Sequence, residues 1–149
     1  MPVNPELLGR EFPPTAPYLV GREKVREFAR AVFADDPQHH DPAAAQALGY
    51  ADVVAPPTFA MVVQDLTLQQ LLAEPDSGIV LSRVLHGEQR FRYTRPIVAG
   101  DELTARLTVS GLRAMGGGTM VTSDAEIVDQ TGAHVVTATS VLVVGEGEA

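Results

Sequence analysis

The chain contains no cysteine and no tryptophan. Without cysteine there can be no disulfide, no thiolate metal ligand and no cysteine nucleophile. Aromatic residues make up only 5% of the 149 residues, so the core has to be built from aliphatic side chains. Positive charge is also scarce. Eleven Lys and Arg stand against nineteen Asp and Glu, a formal net charge of -8. A surface of that sign repels phosphate backbones and anionic lipid, which argues against nucleic-acid and membrane-surface partners. No apolar run approaches the roughly 18 residues of a spanning helix, and the amino terminus lacks a basic stretch followed by an apolar one. These absences predict a cytoplasmic protein. The G-x-S-x-G, P-loop and dinucleotide fingerprints are missing as well, which removes three large enzyme classes.

What is present reads as one domain over 1–149. Residues 1–17 are punctuated by Pro2, Pro5, Pro13, Pro14 and Pro17 and predict an extended lead-in, with a short strand at 18–20. In 22–33, Val25, Phe28, Ala29 and Val32 recur at helical spacing with Arg, Glu and Lys between them, the pattern of a surface helix. A short Ala-rich helix follows at 43–48. Residues 58–72 are apolar on nearly all sides in their first turns, so this helix is predicted to be buried, with Thr58 as its N-cap. Period-two alternation then predicts strands at 80–96, 102–112, 120–128 and 134–144, separated by glycine-containing turns. The acidic tail 145–149 is expected to fray. One long buried helix and a curved antiparallel meander give an α+β unit in which the sheet wraps the helix, an arrangement that resembles the hot-dog fold. Its open edge and apolar flank predict a dimer.

Three places offer chemistry. In 34–42, Asp35, Asp36, His39, His40 and Asp41 put carboxylates beside imidazoles, as proton transfer requires, although the same residues serve as turn formers and helix caps. Adjacent His39 and His40 diverge in an extended segment and show no ligand spacing, so no metal site is expected. The start of the buried helix, 53–59, presents unpaired N–H groups and the positive end of a dipole to any developing oxyanion, unless it is only a helix start. His86 reads as a packing residue of a strand. Arg90 and Arg92 share one strand face, where they either meet a phosphate or lie solvated.

Taken together, Gly9-Arg10, 18–24, Asp41-Pro42, 53–59, 84–89, 93–96 and 99–101 make the chain resemble the MaoC-like N-terminal dehydratase domains. It is especially similar to the A and C subunits of actinobacterial (3R)-hydroxyacyl-ACP dehydratases. Catalytic members carry G-D-x-N-P-x-H, whose Asp and His form the acid–base pair. Laid on Pro37, that motif puts its His on His39, replaces its Asn by Asp36, and puts its Asp on Ala34, with Asp35 one residue late. The family's A-H-G at the helix start falls on Ala55-Pro56-Pro57, and Pro57 has no N–H to offer a thioester oxygen.

The resemblance therefore implies a subunit that binds an acyl-CoA or acyl-ACP in fatty-acid metabolism without a cofactor. It pairs with itself or with a second hot-dog chain bearing the intact motif. A self-sufficient hydratase using His39, with Asp35 or Asp36 as the carboxylate and the Thr58 N–H as oxyanion donor, is the alternative, and a non-enzymatic thioester binder is a third reading. Pro57, Thr58, Phe59, Ala60 and Val63 are the expected substrate-binding residues, lining an apolar channel that opens near His39.

Overall fold

The structure is a computed structural model and describes residues 2–147. Five strands form one antiparallel sheet in the order β1-β3-β4-β5-β2. They are β1 Tyr18–Leu19, β2 Val84–Tyr93, β3 Glu102–Met115, β4 Gly118–Val128 and β5 His134–Gly145. The short turns joining β3, β4 and β5 make them neighbours in register, while β2 crosses to the far side of β5. Three helices accompany the sheet: α1 Arg22–Ala31, α2 Pro42–Ala47 and α3 Ala60–Ala73.

The inner face of the sheet carries Ala105, Leu107, Ala125, Ile127, Val136 and Ala138, all buried. Against it α3 lays Ala60, Val63, Gln64, Thr67, Leu68 and Leu71, residues spaced three and four apart and therefore on one side of the helix. A curled antiparallel sheet holding one central helix is the hot-dog fold. Gln64 is fully buried in this otherwise aliphatic seam. Its amide donates to the Ala138 carbonyl (3.4 Å) and accepts from the Gln89 amide (2.8 Å).

The two long edges of the sheet differ. Along β3 the lead-in is bonded to the strand: Gly9, Phe12 and Thr15 N–H groups donate to the carbonyls of Val109, Leu107 and Ala105 at 2.8–2.9 Å. Leu7 and Phe12 turn into the core there. Among the described residues the outer side of β2 has no neighbouring strand.

Several boundaries differ from the sequence expectation. Helix α1 stops at Ala31 because Phe33 takes a left-handed conformation (φ 59°), and Val32 is 43% exposed rather than buried. Thr58 does not cap α3. It lies inside a 3₁₀ turn, Pro57–Phe59, that precedes the helix and has no side-chain cap. Strand β2 begins at Val84, since Leu81–Arg83 is another 3₁₀ turn. The tail is partly structured: Gly145 pairs with Gly118, and the Glu146 N–H donates to the Gly117 carbonyl at 2.9 Å. Residues 148–149 of that expected tail lie outside the described residues.

Candidate functional site

The site is assembled where the loop after α1 meets the start of α3. Helix α1 presses its Phe28 ring edge-on against Phe59, with centroids 5.3 Å apart, which seats the loop over the helix start. Residues 53–55 run beside 97–99, with the Ala55 N–H bonded to the Ile97 carbonyl and the Ala99 N–H to the Val53 carbonyl. The strip leading to α3 is thus held as firmly as a strand.

His39 is half-buried at the end of the 3₁₀ turn Pro37–His39. Its Nδ1 lies 2.6 Å from the Val54 carbonyl oxygen. A carbonyl only accepts, so Nδ1 carries a proton, and in the neutral ring the lone pair is then on Nε2. That is the tautomer of a general base. His40 is used differently. Its Nε2 reaches the Ala34 carbonyl (2.8 Å), and its own carbonyl accepts from Arg26 Nε (2.8 Å), so it ties the loop back to α1. Asp41 caps α2 through the Ala43 N–H at 3.0 Å.

Asp35 and Asp36 are exposed, and among the described residues neither carboxylate hydrogen-bonds to His39, although the Asp36 backbone carbonyl accepts from the His39 N–H at 3.1 Å. The structure therefore brings His39 to the 53–58 strip but attaches no carboxylate to it. The motif's glycine falls on Phe33, the one non-glycine residue with positive φ among the described residues, and its side chain is 85% exposed.

At the helix start, Pro57 and Thr58 are exposed, whereas Phe59, Ala60 and Val63 are fully buried. The Phe59 N–H is used by the Pro56 carbonyl at 2.9 Å. The Thr58 N–H has no hydrogen-bond partner among the described residues. Of the expected substrate-binding residues, then, Pro57 and Thr58 line the surface and the other three fill the seam between helix and sheet. Cavities of about 680 and 350 Å³ lie on the opposite, helix-free face of the sheet. Arg90, Arg92 and Arg106 there face Asp124 and Glu126 across the strands. Among the described residues no three His, Asp or Glu side chains gather as a metal site.

Tyr93, whose side chain was not among the sequence candidates, reaches the same place. From β2 its Oη donates to the Pro57 carbonyl. Burial pushes the phenol up to about 12, against an opposing hydrogen bond from the Ala60 N–H. Nothing local signals this contact, because the partners are 36 positions apart in the chain. Arg95 and Asp101, neighbours of that strand end, form a clasp. The guanidinium holds Asp101 through two bonds (2.9 and 3.0 Å) and Asp129 through a third (3.1 Å).

Residues 6–138 match the family described as FAS1-like, dehydratase domain region. A UPF0336 protein of Clavibacter michiganensis is 67% identical over 97% of both chains. One from Streptomyces avermitilis is 47% identical over 99% of both. Among solved structures, the truncated HadBC (3R)-hydroxyacyl-ACP dehydratase complex of Mycobacterium tuberculosis contains a chain 32% identical to this one, with a TM-score of 0.82, covering 92% of this chain and 96% of that one. An (R)-hydratase of A. caviae involved in PHA biosynthesis is 25% identical with a TM-score of 0.68, covering 92% and 96%.

Proposed function

The chain belongs to the FAS1-like dehydratase region family, and from that premise we propose that it is a subunit of a (3R)-hydroxyacyl-thioester dehydratase or (R)-specific enoyl hydratase. The reaction is the reversible addition of water across C2=C3 of an acyl chain carried on CoA or ACP. Water oxygen bonds to C3 and a proton is delivered to C2. No cofactor enters this balance. The whole chain, 1–149, acts as one domain and works in fatty-acid metabolism in the cytoplasm.

We assign it the part that holds substrate. The observation that carries this is the isolation of His39: Ala34 stands where the acid–base pair needs its Asp, and Asp35 and Asp36 are exposed and unattached. An imidazole alone can move the C2 proton, but nothing beside it manages the water. A second hot-dog chain with the intact motif supplies that pair. The heterodimeric dehydratase complex with a 32% identical chain supports such a partner, and so does the unpaired edge of β2. The acidic composition argues against a nucleic-acid partner, and among the described residues no helix is long and apolar enough to cross a membrane.

One observation favours a second reading, a homodimeric hydratase that uses His39 itself: the ring is already fixed in the base tautomer. Hydration of crotonyl-CoA and of a longer enoyl-CoA separates the two. The chain alone should turn over at well under the roughly 10 per second of a typical enzyme, and addition of a motif-bearing hot-dog partner should restore that rate. Full turnover by the chain alone, abolished in His39→Ala, would overturn the substrate-holding assignment.

A further inference from the structure

We infer that the acyl tail this chain holds carries a hydroxyl group well beyond the reacting carbons, and that Gln89 and Ser140 receive it beneath the central helix. This rests on the thioester-binding reading above. Gln89, Ser140 and Ser123 stand opposite one another on β2, β5 and β4, so they form one row across the inner face of the sheet. Gln64 reaches the same row from α3. Gln64, Ser123 and Ser140 are fully buried among mainly aliphatic side chains.

The two amides of that row can be oriented in one way only. A backbone carbonyl accepts and never donates, so the Gln64 Nε2 must face Ala138 (3.4 Å). Its Oε1 then accepts from the Gln89 Nε2 at 2.8 Å. Turning either amide over would set oxygen against oxygen. The Gln89 Oε1 is consequently fixed as an acceptor, buried and without a hydrogen-bond partner among the described residues. The serines add the converse. Their hydroxyls lie 3.1 Å apart and share one hydrogen bond, which uses one of their two protons. The other proton has no acceptor among the described residues. An unused acceptor and an unused donor on directly opposed strands are the complement of one O–H group, and buried polar groups are nearly always paired.

The row lies where a tail arrives, not where the chemistry occurs. Tyr93, bonded to the Pro57 carbonyl at the helix start, sits four residues away along β2, about 13 Å at the usual strand rise. Between them the floor of the seam includes Ala138 and Ala125, opposed across β5 and β4, two of the smallest side chains on the sheet. The reacting C2 and C3, beside His39, do not extend that far, so the hydroxyl in question is not the one the reaction adds or removes. A tail that is alkyl throughout leaves the Gln89 oxygen unpaired against hydrocarbon, and a site with such a group rejects the ligand that cannot pair it.

The test is binding of the full chain to CoA thioesters of one length: trans-2-dodecenoyl-CoA and its monohydroxy derivatives, with the hydroxyl moved stepwise from the sixth carbon to the last. Crotonyl-CoA, too short to reach the row, is the control. One or two neighbouring hydroxyl positions should bind about 10-fold tighter than the unsubstituted thioester, the worth of one buried hydrogen bond. Replacing both amides (Gln64→Met with Gln89→Met) removes the unpaired acceptor together with its partner. That double variant should lose the preference while its thermal melt stays cooperative. A wild-type chain that binds crotonyl-CoA but prefers no hydroxylated tail overturns the inference while leaving thioester binding in place, and it decides the matter even if the double variant fails to fold. A preference undiminished in the double variant overturns it as well. A chain that binds none of these thioesters overturns the thioester-binding reading itself.

Discussion

His39 is bonded through its ring to Val54, and Val54 is bonded back to the residue before it. The ring Nδ1 donates to the Val54 carbonyl at 2.6 Å, and the Val54 N–H donates to the carbonyl of Gln38, the residue before the histidine, at 2.9 Å. The imidazole is therefore a structural brace as well as a candidate base, and the two roles use different nitrogens.

Substitutions can separate them. The Nδ2 of an asparagine occupies nearly the place of a histidine Nδ1, so His39→Asn should keep the brace and lose the base. His39→Ala should lose both. We expect His39→Ala to cost about 1 kcal/mol, the worth of one part-buried hydrogen bond, and to lower Tm by about 2–4 °C. His39→Asn should lose less than half of that. Equal losses in thermal melts would show that the Val54 contact contributes nothing to stability.

Phe33 gives a prediction of opposite sign. A left-handed conformation costs an L-residue roughly 1–2 kcal/mol, whereas glycine adopts it freely at a backbone-entropy cost of about 0.5–1 kcal/mol. The ring is 85% exposed, so its removal forfeits little packing. Phe33→Gly should therefore raise stability by about 0.5–1 kcal/mol in urea denaturation. A loss instead would mean that the ring is buried in solution, against another protomer or a partner.

Acid should weaken the clasp at the end of β2. Hydrogen bonds from Thr131 and then Arg95 hold the Asp129 carboxyl well below the usual carboxylate range. A group with a depressed folded-state pKa adds stability that is fully present above the ordinary carboxylate pKa of about 4 and is lost as pH falls below it. Tm should thus be insensitive to this group from pH 7 to 5 and drop below pH 4. Asp129→Asn should lower Tm at pH 7, and its gap to wild type should narrow on acidification. A gap that stays constant down to pH 3 would rule out this linkage.

Much of this was legible in the sequence, and the exceptions have physical causes. Alternation located all four long strands and aliphatic crowding located α3, because burial on one or all sides leaves a periodic trace. His39 stood out by its loop companions. The end of α1 was misread because Phe33 adopts a bend that sequence assigns to glycine. Thr58 was misread as a cap because Pro57 starts a 3₁₀ turn one step earlier. Tyr93 and Gln64 escaped notice for a different reason: each matters through a partner on another element (Pro57 and Gln89), and pairing across the fold leaves no local period.

The unequal edges of the sheet bear on how large an assembly this chain can build. The covered edge of β3 ends in a segment holding Pro13, Pro14 and Pro17, whose nitrogens cannot donate to an incoming strand. Among the described residues β2, free of proline over its ten residues, is the long open edge, since β1 at the other end has only two. Any pairing through β2 uses up the open side of both participants and presents blunted borders outward. Growth by strand addition must then stop at two chains, so a fold that is half of a barrel can recruit a companion without seeding a fibre.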